Sequence, residues 1–409
     1  MFSVLRNPRY ARLYLAQVVA LVGTGVATVA LGLTAHELAG PEAGRVLGTA
    51  LTIKMVAYVC IAPIANAQLA GRPAKAVLVG ADLTRCAAAL CLPFITQIWQ
   101  VYALVLLLQA ASATFTPTFQ AIIPELFDNE DDYTAALSLS RIAYDVEGIV
   151  SPTIAAVALS VVAPRELFYA TALGFIGSAA LILGTALPGP EAATGSFARR
   201  LTKGIRILTT PPLRPILALN LAVAAAGAFV LVNTVLIARE HLGLDASGTA
   251  WLLASTGVGS ILASSLLPRL LSSHGERAVL CGAAVALPAA IAAVPTILTL
   301  PQPVAALALA WAIVGFAWAA ALTPVGRIIR RVCRDDDLAS AFAAQFSLSH
   351  AAWLITYPLA GALGASSVPL AAYSLALLSL VGAVGIRWLW PRTNETMDPC
   401  QRPCLQPKT

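Results

Sequence analysis

The sequence predicts an all-α membrane protein of twelve transmembrane helices, arranged as two pseudo-symmetric six-helix halves. Three observations carry this. Of 409 residues, 58% are hydrophobic and only 11% are charged, whereas a soluble domain carries about 25% charged residues. Twelve apolar runs have lengths near the ~20 residues that a helix needs to cross the hydrocarbon core. Landmarks of the first half of the chain recur, in order, in the second. Soluble, disordered and collagen-like classes are excluded by composition. Helices rather than open strands are required, because lipid offers no partner to an unsatisfied backbone.

The runs are residues 13–35, 46–70, 76–95, 98–123, 135–163, 167–187, 215–238, 246–268, 278–300, 303–326, 338–364 and 368–386. Nine of the twelve contain no Asp, Glu, Lys or Arg. The first follows Arg6, Arg9 and Arg12 and is too long for the apolar segment of a cleavable signal. Pro117, Pro152, Pro288 and Pro358 fall inside runs, where neighbouring helices re-satisfy the freed carbonyls. Residues 188–214 are the longest polar stretch and read as a cytoplasmic linker. They separate an N-terminal half, 1–187, from a C-terminal half, 215–390, which a tail of 391–409 follows.

Basic residues set the orientation. With the N-terminus inside, 20 of the 26 Lys and Arg fall on the cytoplasmic side, and only Arg45, Arg165 and Arg239 fall outside. The positive-inside rule then places both termini in the cytoplasm of a multi-pass inner-membrane protein. The acidic loop at 125–132 weighs little in that rule.

Four echoes indicate duplication. Thr116-Pro117 returns as Thr323-Pro324, at an offset of 207, and an acidic stretch follows each, at Asp128 to Asp132 and at Asp335 to Asp337. SLSRIAYD at Ser138–Asp145 returns as SLSHAAWL at Ser347–Leu354, and Pro152 returns as Pro358. Internal repeats of this kind are a mark of secondary transporters.

A six-plus-six duplicated chain with a basic middle linker resembles the major facilitator superfamily over residues 1–390. The family's signature turn between its second and third spans reads NAQLAGRPAKA here, at 66–76. Ala70 and Gly71 replace the family's Asp and Arg, while Arg72 and Lys75 remain. The duplicate turn, RLLSSHGERAVL at 269–280, keeps Gly275 and Arg277. Span five keeps Gly148 and Pro152 of the antiporters' Gly-Pro motif, with Ser151 before the proline. VALVGTGVATVALGL and the FTPTFQ and ALSLSR stretches resemble bacterial proton-coupled exporters of the siderophore-efflux and nickel-resistance type. The resemblance implies alternating access about a midplane site.

Ionisable groups inside spans cost about 2.5–3.5 kcal/mol each on insertion scales, and so mark functional sites. The chain has Lys54, Asp82, Arg85, Arg141, Asp145 and Glu147, all in the N-terminal half, and the C-terminal half adds His350. Arg141 and Asp145 are four apart and share a helix face, whether as an intrahelical pair or as a coupling element. Asp145 and Glu147 lie at roughly mid-bilayer depth but point about 200° apart, so they serve different neighbours. Lys54 and Glu147 have no same-helix partner of opposite charge. Proton coupling is expected of Glu147, Asp145, Arg141, Lys54 and His350. Asp82 and Arg85, three apart near the end of span three, read as a structural pair at a depth where Arg reaches toward headgroups.

In the resembled fold, spans one, four, seven and ten line the cavity. Gln109, Ser112, Thr116, Gln120, Asn220, Asn233 and Trp318 are the substrate-binding candidates, in a mostly apolar pocket suited to a small amphipathic molecule. No phosphate loop, catalytic motif or zinc spacing occurs, so neither a cofactor nor a resident metal is expected. The expected function is proton-coupled efflux by a monomer with lipid around it and no nucleic-acid partner. Export of a divalent metal such as nickel or cobalt is the alternative, resting on His36, Glu37, His350 and the tail thiols Cys400 and Cys404.

Overall fold

A computed structural model describes residues 2–40, 43–187, 189 and 196–390; the side chains at 36, 43–45, 148–150, 152, 153, 156 and 246 lie outside that description. His36, Pro152, Cys400 and Cys404 are therefore outside the described side chains. The helices run in order as α1 (Pro8–Ala39), α2 (Ala43–Leu69), α3 (Ala74–Cys91), α4 (Ile98–Ile122), α5 (Glu130–Ala158), α6 (Leu167–Leu183), α7 (Phe197–Leu208), α8 (Arg214–Leu236), α9 (Ala246–Ala292), α10 (Val294–Ile297), α11 (Pro303–Val332), α12 (Asp335–Ser366) and α13 (Val368–Leu389). Among the described residues, ten helical stretches are long and apolar enough to cross a membrane. The chain is an all-α, multi-pass membrane protein. Its outward faces carry bare apolar side chains such as Val161, Trp251, Leu309 and Trp388, which only lipid would cover.

Two local differences from the sequence expectation have clear causes. The acidic stretches are not loops. Glu130, Asp131 and Asp132 form the first turn of α5, capped by Asn129, and Asp335 to Asp337 form the first turn of α12. Carboxylates are favoured there by the positive end of the helix dipole. The polar linker also contains a helix: Ser196 caps α7 by accepting from the Arg199 backbone N–H. Its basic face and its apolar face are both short, which hid it among the flanking Gly, Pro and Thr.

The duplicated turns share a backbone device. Gly71 sits at φ 83° between α2 and α3, and Gly275 sits at φ 76° inside α9. Both adopt the left-handed region that glycine enters without steric cost. Gly275, with ψ 163°, is the one non-helical position in the 47 residues of α9.

Packing divides by chain position. In the first part of the chain, α1 packs on α5 and α6, and α3 lies against α4 and α6. In the second, α8 packs on α12 and α13, and α9 on α11 and α13. One core centres on Tyr10, Phe115, Phe119 and Tyr133, and a larger one on Phe229 and Trp311. α9 and α11 cross in backbone contact, for a Cβ added at Gly259 or Gly315 would stand 1.9 or 1.8 Å from the opposing carbonyl of Ala312 or Thr256. Small residues drive such crossings in lipid, where hydrophobicity favours no particular partner. The two groups of helices meet where α2 and α4 face α12, and where α5 faces α9 and α11.

Candidate translocation site

α5 carries three of the ionised groups, and the helix period sends them to different neighbours. Arg141 donates to Asp145 at 3.1 Å, one turn along the same helix. The pair also reaches the other group of helices. Ser260 of α9 donates to Asp145 Oδ2 at 2.5 Å and accepts from Arg141 Nε at 3.2 Å. The Arg141 guanidinium stands 5.4 Å from the ring of Trp318 on α11. Asp145 lies about 22 Å along α5 from Glu130, and Ser260 about 21 Å along α9 from its other end, so the meeting point is near mid-membrane.

Trp318 begins a ladder of rings. Trp353 of α12 follows at 5.2 Å between centroids, then Tyr357 at 5.0 Å. Gly227 of α8 makes room for it, since a Cβ there would stand 2.2 Å from the Trp353 ring. These rings supply apolar contact with a polar edge.

Glu147 turns toward α1. A Cβ added at Gly25 would lie 2.7 Å from its Oε1 and 2.3 Å from Ser151. Lys54 on α2 is the cation whose charge acts on Glu147, with no ion pair formed among the described residues. Lys54 lies 5.6 Å from the Tyr58 ring. Tyr58 in turn packs against His350 at 4.7 Å and Phe346 at 4.8 Å on α12. The His350 Nδ1 meets the Phe346 carbonyl at 2.7 Å, one turn back. Lys54, Tyr58, Phe346 and His350 thus form a second contact between the two groups of helices.

The remaining candidates sit apart. Asp82 and Arg85 are ion-paired within α3, and Arg85 is held between Phe115 at 4.2 Å and Phe175 at 4.6 Å. Arg85 is only 4% exposed, so it is enclosed by helices rather than extended toward headgroups. Asn220 and Gln345 exchange two hydrogen bonds, of 3.0 and 2.9 Å, and Asn233 donates to the Ala360 carbonyl at 3.3 Å. These bonds clamp α8 to α12. Ser112 donates to its own helix at Leu108, and Gln109 Oε1 is buried without a partner. Thr116 and Gln120 are half-buried on α4.

At the end of the bundle that bears α7, a charge network joins the two groups again. Arg327 of α11 binds Glu130 at 3.0 Å, Glu276 at 3.1 Å and the Thr134 hydroxyl at 2.6 Å. Arg331 binds Glu130 at 2.9 Å and Glu276 at 2.5 Å. Arg330 donates to the Phe127 carbonyl and covers the Tyr133 ring. Burial alone would raise the Glu130 carboxyl, but hydrogen bonds and charge from Arg331 and Arg327 outweigh it and hold it below its ordinary value. Beside this network, Asn66 of the degenerate turn donates to Ser340 of α12 at 3.2 Å, and Ser347 donates to the Val59 carbonyl at 2.5 Å. α7 adds a strap: Lys203 pairs with Asp337 at 2.6 Å, and Arg200 donates to the Ala67 carbonyl at 2.9 Å. This end is closed.

Sequence reasoning missed Glu130, Glu276, Ser260, Tyr58, Trp353 and Tyr357. Arg327 and Arg331 entered it only as orientation charges. Their sole signal was clustering at helix ends, which suits solvated surface equally well.

Ionised groups held between two groups of lipid-crossing helices, with one end sealed by charge, define a membrane transporter rather than an enzyme. The chain belongs to the transmembrane secretion effector family, which matches residues 1–335, and thereby to the major facilitator superfamily. Its fold is similar to that of the human organic anion transporter MFSD10 (13% identity, 93% of this chain and 99% of that one, TM-score 0.76). It is similar also to a bacterial homologue of the iron transporter ferroportin in an outward-facing state (13% identity, 93% and 98%, TM-score 0.75). The major facilitator transporter FucP in the outward conformation is a further likeness (16% identity, 93% and 98%, TM-score 0.69). A segment of 148 residues is 29% identical to the UDP-N-acetylmuramoylalanine–D-glutamate ligase of Mycobacterium avium (strain 104), and the chain spans only 28% of that protein's length.

Proposed function

We propose that the protein is a proton-coupled secondary transporter that exports a small amphipathic molecule by alternating access. The observation that carries the reading is the Asp145–Arg141–Ser260 tie at mid-membrane, which joins one group of helices to the other through an ionisable bond. Protonation of Asp145 would remove its pairing with Arg141 and weaken the hold of α5 on α9, changing which arrangement of the halves is favoured. Glu147, set against Gly25 and under the charge of Lys54, is the second proton-exchanging group, and His350 completes the set across α2 and α12.

Twelve crossings in two halves fit the architecture when α9 is counted as two helices meeting at Gly275 and α5 is added to the ten apolar stretches. Separate cores and separate packing support halves of 1–187 and 215–390, with 188–214 as linker. The excess of basic residues at the α7 end supports a cytoplasmic location for that end. The name of the family, a secretion effector, supports export. The ring ladder beside a guanidinium supports an amphipathic substrate. Among the described residues no group of three His, Cys, Asp or Glu could hold a metal, so no observation favours the metal-export alternative.

The test is uphill efflux against an imposed pH gradient in proteoliposomes. Glu147→Gln and Asp145→Asn should each abolish coupled efflux, while Glu147→Gln should leave substrate exchange. Normal uphill efflux by both variants would refute the assignment.

A further inference from the structure

An apolar slot of about 230 Å³ opens at the α7 end of the bundle, between α8, α9, α11 and α13. Pro212, Ile216, Leu219, Leu280, Ile386 and Trp390 are among its walls, and every residue lining it is apolar. None of the candidate translocation residues lines it. The position is at headgroup level. α8 begins and α13 ends beside it, and Trp388, two residues from Trp390, is 83% exposed. Tryptophan collects at that level of a bilayer.

Three cations stand next to slot residues in the chain: Arg214 before Pro215, Arg277 three residues before Leu280, and Arg387 after Ile386. All three are exposed. Among the described residues Arg277 and Arg387 make no hydrogen bond or ion pair, and Arg214 donates only to the Thr209 carbonyl, at 2.6 Å. The neighbouring acid offers no neutralisation, because Glu276 is engaged by Arg327 and Arg331.

We propose that this slot is a binding site for one anionic phospholipid, with an acyl chain between α8 and α13 and the phosphate on Arg214, Arg277 and Arg387. An apolar slot rimmed by uncompensated arginines at the membrane surface matches a ligand with a hydrocarbon body and an anionic head. A basic residue near the surface favours anionic over neutral lipid by about fivefold. The site lies beside the Gly275 bend and the strapped end of α11, so its occupant contacts the helices that carry the charge network.

The experiment uses the full chain in phosphatidylcholine bilayers. Phosphatidylglycerol with brominated acyl chains is titrated in, and tryptophan fluorescence is followed in a Trp388→Phe background. Trp390→Phe identifies the component from the slot. The expected result is quenching of the Trp390 component that saturates at a far lower mole fraction of brominated phosphatidylglycerol than of brominated phosphatidylcholine. Arg277→Gln with Arg387→Gln, both at exposed positions, should lower that preference roughly 25-fold. Equal quenching by the two lipids, or an unchanged curve in the double variant, would overturn the proposal. Recovery of Trp390 emission on adding inorganic phosphate would assign the arginines to a free anion and overturn it too.

Discussion

Replacing Glu276 with Gln should open the sealed end. The Glu276 side chain is 7% exposed and accepts from both Arg327, itself 12% exposed, and Arg331. An uncompensated charge left inside a buried pair costs about 3–5 kcal/mol. Glu130 remains to bind both arginines, but it is half exposed and solvent screens it. The closed arrangement should therefore lose about 2–3 kcal/mol against the open one, a shift of roughly 30- to 150-fold. The reporter is Leu137→Cys in a cysteine-free chain. Leu137 lies on α5 against Gly326 of α11, where an added Cβ would stand 3.0 Å from Leu137 Cδ1, so a thiol there is shielded only while the helices touch. The rate of labelling by a water-soluble maleimide should rise in Glu276→Gln by that factor. A matching rise in Arg327→Gln that does not add in the double variant would locate the effect in the pair. An unchanged labelling rate in Glu276→Gln would refute the view that this network holds the end closed.

Three further outcomes follow from the same geometry. Gly25→Val places side-chain carbons where Glu147 Oε1 and Ser151 now sit; uphill transport should be lost while the purified protein keeps its thermal stability within a few degrees. Glu130 has its pKa lowered in the closed end, so its contribution is present above the ordinary carboxylate value of 4.5 and disappears as pH falls through the lower, folded value. Spin labels on α5 and α11 should therefore separate at the α7 end on acidification below that range, and less so in Glu130→Gln. Asn220→Ala leaves Gln345 buried without its two bonds, which should cost about 1–3 kcal/mol in a denaturation assay and leave the pH dependence of transport unchanged.

The lipid-crossing helices, the odd placement of charge and the duplicated turns were legible from residue order, because each is a local property. Apolar runs must become helices in lipid whatever their neighbours are, and a charge inside such a run is costly wherever it points. The left-handed Gly71 and Gly275 occupy corresponding turns for the same local reason. Partnership was not legible. Asn220 and Asn233 look like cavity residues in sequence, yet they bond α12, and only helix crossing decides whether a polar side chain meets a helix or a void. Ser260 carried no signal of its own and became part of the central tie because α9 passes α5 at that height. Glu130, Glu276, Arg327 and Arg331 read as solvated ends until packing brought residues about 200 positions apart within hydrogen-bond distance. The sequence by itself determined that the chain lives in a membrane as helices and where its charges lie along them. Tertiary structure alone decided which charges meet, because contact between distant segments depends on crossing angles and small-residue approaches that no local pattern records.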